Sequence, residues 1–213
     1  MSGKTRSPLA FDAATVDLDG LLKRLHLANA RKNWRTMVER AESQRWSCPE
    51  FLGVLTSEEV AQRQQTRVQR AVRQARFPFL KTIDDFDFSL QSSLRLQLLG
   101  SYLSPDLVSE GRNLILLGKS GRGKTHLAVA IAYRAIQNGY NACFVSAAVL
   151  IEQLSLASGE GRLRDALAGY LQPHVLVIDE VGYLSYGPDA AKCVVPRGQR
   201  AAPSQAADPV YNE

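Results

Sequence analysis

Gly118-Lys119-Ser120-Gly121-Arg122-Gly123-Lys124-Thr125 fits the pattern G-x-x-x-x-G-K-[ST] without a mismatch. The flanks give the match its weight. Asn113-Leu114-Ile115-Leu116-Leu117 precedes it as an apolar run of the length expected for a buried strand. Leu127 to Ile136 follows, rich in helix formers and closed by Gly139. Strand, glycine loop and helix thus come in the order that phosphate binding needs. Glycines let backbone N–H groups turn inward around phosphate oxygens, and the helix N-terminus adds positive potential. Gly118, Ser120, Gly121, Gly123, Lys124, Thr125 and His126 are the candidate nucleotide-binding residues. Lys124 is expected to reach the β- and γ-phosphates, and the Thr125 hydroxyl to hold Mg2+.

A second motif lies downstream. Val175-Leu176-Val177-Ile178-Asp179-Glu180 is an apolar strand ending in two acids. Asp179 is the second candidate metal ligand, and Glu180, with Lys124, a candidate catalytic residue that would orient the attacking water. Between the two motifs, Ala142-Cys143-Phe144-Val145-Ser146 reads as another strand, with helices over Ala147 to Ala157 and around Leu163, Leu167 and Leu171. Strands alternating with helices predict an α/β fold with a mostly parallel sheet and its site at the strands' carboxyl ends. His126 and His174 read as a packed first-turn residue and a strand-edge residue.

Upstream the pattern is helical. Leu18, Leu21, Leu22 and Leu25 share a face, Trp34, Met37, Val38 and Ala41 continue the period, and Ser47-Cys48-Pro49-Glu50 reads as a capping box. A long helix is predicted from Glu58 to Arg76, stopping before Pro78. It carries Arg63, Arg67, Arg70, Arg73 and Arg76 with no acid after Glu59, opposite Val68, Ala71, Val72 and Ala75. A one-sided arginine stripe suits a DNA or RNA phosphate backbone; a solvated helix face is the bland alternative. Phe77, Phe79, Phe86 and Phe88 mark a connector that needs burial. Leu94, Leu98 and Leu99 suggest a short helix before Pro105.

Net charge is +5 and pI about 9.2, which admits a polyanionic partner. Three separated cysteines fit a reducing cytosol, each thiol read as a small packed group. No apolar stretch reaches bilayer-spanning length and the N-terminus has no signal-peptide core. A cytoplasmic protein with no membrane partner is expected.

The phosphate loop G-K-S-G-R-G-K-T-H, the strand V-L-V-I-D-E-V-G-Y and the connector A-R-F-P-F-L-K-T-I-D-D-F-D-F (Ala75 to Phe88) together resemble the IstB-type ATP-binding proteins of bacterial insertion sequences. These are relatives of the DnaC helicase loader among AAA+ ATPases. The resemblance covers Leu18 to Ala191 and implies a P-loop NTPase, AAA+-like, behind a small all-helical domain. It also implies ATP and Mg2+ as ligands, double-stranded DNA and a transposase as partners, assembly into a homo-oligomer, and delivery of the transposase to target DNA. The arginine helix falls where the family's DNA-binding domain lies. A replicative helicase loader and a non-catalytic DNA-binding remnant are the alternatives.

The expected organisation is a disordered tail over 1–15, a helical DNA-binding domain over 16–76, a connector over 77–92, a partial ATPase domain over 93–191 and an aberrant tail over 192–213. The C-terminal part of the ATPase domain is expected to be missing, with a frameshift as its proposed cause. The resemblance then implies loss of a polar-sensor strand between the phosphate-loop strand and the Asp179 strand, and of an arginine that completes a neighbour's site. Impaired hydrolysis and doubtful ring assembly are the expected consequences.

Overall fold

The computed structural model describes residues 16–90 and 96–181. The expectations for residues 1–15, for Leu94 and for 182–213 lie outside them. The chain divides into two units between Arg67 and Val68, a point inside one long helix.

The first unit contains α1 (Leu18–Arg24), α2 (Ala28–Ser43) and the first five turns of α3 (Cys48–Ala75). Asp17 caps α1 by accepting from Gly20 N at 2.9 Å. The capping box is present: Ser47 N donates to Glu50 Oε2 at 2.7 Å and Glu50 N to Ser47 Oγ at 3.4 Å. The helix it starts does not end before Glu58. It runs unbroken for 28 residues through Gly53, so the two predicted helices are one. Leu22, Ala30 and Met37 are buried. Cys48, expected to be packed, is exposed in the first turn of α3, where Pro49 and Glu50 are exposed as well.

Helix α2 lacks a side-chain cap of its own, since Leu27 occupies the cap position. Glu59, only 4% exposed, replaces it from α3: its Oε2 accepts from Ala30 N at 2.8 Å and its Oε1 from Arg63 Nε at 2.9 Å. Burial pushes the Glu59 pKa up, but the hydrogen bonds from Ala30, Arg63 and Asn29 outweigh it and leave the group below its ordinary value. A lowered folded-state pKa means that the carboxylate stabilises the fold above the unfolded pKa, and that this is lost as pH falls through the folded one. Glu59→Ala is expected to cost about 2–3 kcal/mol, because it orphans the buried Ala30 N–H and removes the charged partner of Arg63. In chemical denaturation that difference from wild type should shrink as the medium is acidified below about pH 4.

The second unit is built around α6 (Lys124–Gln137) and a parallel pair, β1 (Ala142–Ser146) and β2 (Val175–Asp179), in register from Ala142↔Val175 to Ser146↔Asp179. Two helices, α7 (Ala147–Gly159) and α8 (Leu163–Leu171), make the connection between the strands. Helix α6 is apolar on two faces. Leu127, Ala130 and Ile131 join Ile83, Leu99 and Leu107 in one core, while Ala132 and Ile136 join Ala71, Ala75 and Ala142 in another. The far end of α3 thus buries the face predicted to lie opposite its arginines. Short turns of helix, α4 (Gly100–Leu103) and α5 (Asp106–Ser109), and 3-10 turns at Phe88–Leu90 and Leu96–Leu99 cover the first core. Phe77, Phe86 and Phe88 pack as expected; Phe79 is exposed, so one of the four phenylalanines escapes the burial predicted for it.

One predicted strand is absent. Among the described residues the sheet contains β1 and β2 alone, and residues 113–117 belong to no strand. Leu114 and Leu116 pack on the core, whereas Ile115 and Leu117 are 75% and 73% exposed. The alternation is that of a strand, but a ladder needs an adjacent strand to accept its hydrogen bonds. Among the described residues this segment does not pair with β2, whose ladder partner is β1. No helix among the described residues is long and apolar enough to cross a membrane.

Candidate nucleotide site

The loop from Gly118 to Gly123 is shaped by its glycines, with Gly118, Gly121 and Gly123 at φ of 151°, 76° and 81°. Gly123 is constrained twice over. It forms the left-handed entry to α6, and a Cβ there would stand 2.7 Å from Phe86 Cε2. Lys124 folds back over the loop, its ammonium donating to the carbonyls of Gly118 and Lys119 at 2.9 Å each. Ser120, Gly121 and Arg122 form the turn.

Thr125 joins this loop to the end of β2. Its Oγ1 donates to Asp179 Oδ2 at 2.8 Å, across 54 residues of sequence. The other carboxylate oxygen, Oδ1, accepts from Glu180 N at 2.9 Å, which fixes the plane of the group. Glu180 is exposed and has φ of 60°, a left-handed conformation that a side chain adopts only at a cost. The two residues singled out as metal ligands are therefore in contact, and the proposed water-orienting acid is the next residue along the chain. Hydroxyl and carboxylate oxygens are the hard ligands magnesium takes, and two from protein leave the other octahedral positions to water and phosphate. No cluster of three or more His, Cys, Asp or Glu able to hold a metal occurs among the described residues.

A family model described as IstB-like ATP binding protein matches residues 20–196. The chain belongs to the IstB-like ATP-binding protein family. The match continues past Ala191, where the resemblance read from the sequence ends. This IstB-like chain is 38% identical over 168 residues to the ATP-binding protein of insertion sequence IS5376 from Geobacillus stearothermophilus, covering 79% of the chain and 67% of that relative. It is 33% identical over 168 residues to the ATP-binding protein of insertion sequence IS21 from Pseudomonas aeruginosa, covering 79% and 63%. A third relative, the ATP-binding protein of IS232 from Bacillus thuringiensis, is 33% identical over 171 residues, covering 80% and 68%. The matched region therefore spans about two thirds of each relative's length.

His126, grouped with the nucleotide-binding residues from sequence, is turned to the connector of this IstB-like protein. Its Nε2 lies 3.0 Å from the Thr82 carbonyl and its ring meets Phe86 edge-on, with centroids 5.2 Å apart. Asp85 closes the same turn by accepting from Thr82 N at 2.8 Å and Thr82 Oγ1 at 2.9 Å; these bonds hold its carboxyl below the usual aspartate range. The connector is thus latched to the phosphate loop through Thr82, Phe86 and His126. Spacing along the chain carries no signal for that latch; only the connector's need to bury phenylalanines hinted at it. His174 Nδ1 accepts from Asn141 N at 3.2 Å at the strand entrance, the edge role expected for it.

The five candidate DNA-binding arginines do not behave alike. Arg63 is committed to Glu59 and to the carbonyl of His26. Its acidic partner is the residue just before the acid-free run. Arg67 is half-buried and donates to Gln64 Oε1 at 3.3 Å. Arg70, Arg73 and Arg76 are exposed, with Arg76 at φ of 58° ending α3. Burial pushes the Cys143 thiol up, which keeps it protonated and inert.

Proposed function

We propose that the protein is an ATP-binding, DNA-binding helper ATPase of insertion-sequence transposition, one that delivers a transposase to target DNA. The 2.8 Å bond between Thr125 Oγ1 and Asp179 Oδ2 carries the nucleotide part of this reading, because it supports a shared site for phosphates and metal. In that site the N–H groups of the Gly118–Gly123 loop and the N-terminus of α6 bind the phosphates. The Lys124 ammonium exchanges the carbonyls of Gly118 and Lys119 for phosphate oxygens. Thr125 and Asp179 would hold a magnesium ion, whose charge would offset that of the bound phosphates. Glu180 orients the attacking water and takes its proton.

The DNA and transposase parts rest on the family's association with insertion sequences and on the exposed Arg70, Arg73 and Arg76. The transposase of the same insertion sequence, passed over immobilised duplex DNA with this chain, should be retained only when the chain and ATP are both present. Equal retention without the chain or without ATP rules the delivery reading out.

A further inference from the structure

The acid-free stretch of the first unit is not the arginine helix alone. From Gly20 to Val38 the chain carries Lys23, Arg24, Arg31, Lys32 and Arg35 and no acidic residue. Three of these cations, Arg31, Lys32 and Arg35, line an open groove of about 450 Å³ with Ala28 and Asp19. All three are exposed. The groove is built rather than accidental at one end. Asp19 accepts from the Arg35 guanidinium and, at 3.3 Å, from Trp34 Nε1, while Arg35 Cζ stacks 4.5 Å from the Trp34 ring centroid. Hydrogen bonding to Arg35 and then Trp34 keeps the Asp19 carboxyl below its ordinary range. Asp19 therefore stays ionised and fixes one guanidinium in place, which lowers the ordering entropy of binding. Arg31 and Lys32 leave the groove with a positive balance.

We infer that the Arg31–Lys32–Arg35 groove is a binding site for the phosphodiester backbone of duplex DNA. The inference rests on the reading that the protein binds DNA and moves the contact to α2, away from Arg63. Arg31 to Arg35 rises about 6 Å along the helix, over which one DNA strand presents about two phosphates. A guanidinium pre-set by Asp19 and Trp34 suits bidentate capture of one phosphate, and its neighbours neutralise the next. A lipid surface fits less well, since Ala28 is the only apolar side chain lining the groove and nothing there would insert between acyl chains.

The test is fluorescence anisotropy of a labelled duplex with the full chain over a range of salt, for wild type, Arg31→Gln/Lys32→Gln, and Arg40→Gln. Arg40 is an exposed arginine of the same helix outside the groove. The double variant should weaken binding at least tenfold and lower the salt slope by roughly 1.8, the value for two lost phosphate contacts. Arg40→Gln should do neither, and all three proteins should keep one melting temperature. Duplex binding by wild type with an unchanged slope in the double variant overturns the groove and leaves the wider DNA reading standing. No duplex binding by wild type sinks both, while nucleotide stabilisation of the same sample stays an independent readout. Equal competition by polyglutamate or by phosphatidylglycerol vesicles overturns the choice of DNA.

Discussion

Addition of ATP and magnesium at about a hundred times the dissociation constant should raise the melting temperature of the wild-type chain by roughly 5–10 °C, and Lys124→Ala should abolish the rise. A ligand that binds only the native state stabilises it by about 2.7 kcal/mol at that excess. For a chain of this size each kcal/mol is worth about 2–4 °C. Lys124 is the loop cation expected to reach the phosphates, and its hydrogen bonds are to two loop carbonyls. Its removal costs the phosphates their main counter-charge and leaves the apo fold little changed. Lys119→Ala is the control, since only the Lys119 carbonyl meets Lys124. A full nucleotide-induced shift in Lys124→Ala would mean that the loop is not where triphosphate binds.

The second large effect belongs to Gly123. An alanine there must hold φ of 81° and place its Cβ 2.7 Å from the Phe86 ring. Left-handed strain costs about 1–3 kcal/mol and forced repacking about as much again, so a loss near 3 kcal/mol is expected. That corresponds to a melting temperature lower by roughly 6–12 °C. Gly121→Ala separates the terms. Its φ is also positive, at 76°, but nothing lies within 4 Å of its added Cβ, so only the strain of about 1 kcal/mol remains. Phe86→Ala in the Gly123→Ala background should recover the packing part in a double-mutant cycle. Equal losses for Gly121→Ala and Gly123→Ala would show that the connector does not press on the phosphate loop.

The parts of this fold legible from sequence are those whose cause is local. The capping box at Ser47 and Glu50, the stop of α3 before Pro78, and the helix after the glycine loop each follow from neighbouring residues. So does the strand ending at Asp179, where an apolar run meets two acids. The two halves of the candidate site are legible because each is a short motif, although the contact between Thr125 and Asp179 is a tertiary fact.

What escaped the sequence depends on partners far along the chain. Asn113–Leu117 has a strand's composition, yet pairing is settled by what lies beside it. Glu59 caps a helix from another helix, which no spacing rule announces, and in doing so it removes Arg63 from the arginine stripe. The habits of its residue type predict a packed Cys48, yet it lies in an exposed first helical turn.

Nucleotide affinity measured by calorimetry, with magnesium and with a chelator, in wild type and in Asp179→Asn, addresses the claim at the centre of this account. If Thr125 and Asp179 hold the metal against the phosphates, chelation should weaken ATP binding by wild type at least tenfold, a loss of about 1.4 kcal/mol. Asp179→Asn should bind as weakly as chelated wild type and respond little to magnesium. An Asp179→Asn protein with wild-type affinity and wild-type magnesium dependence would contradict the assignment.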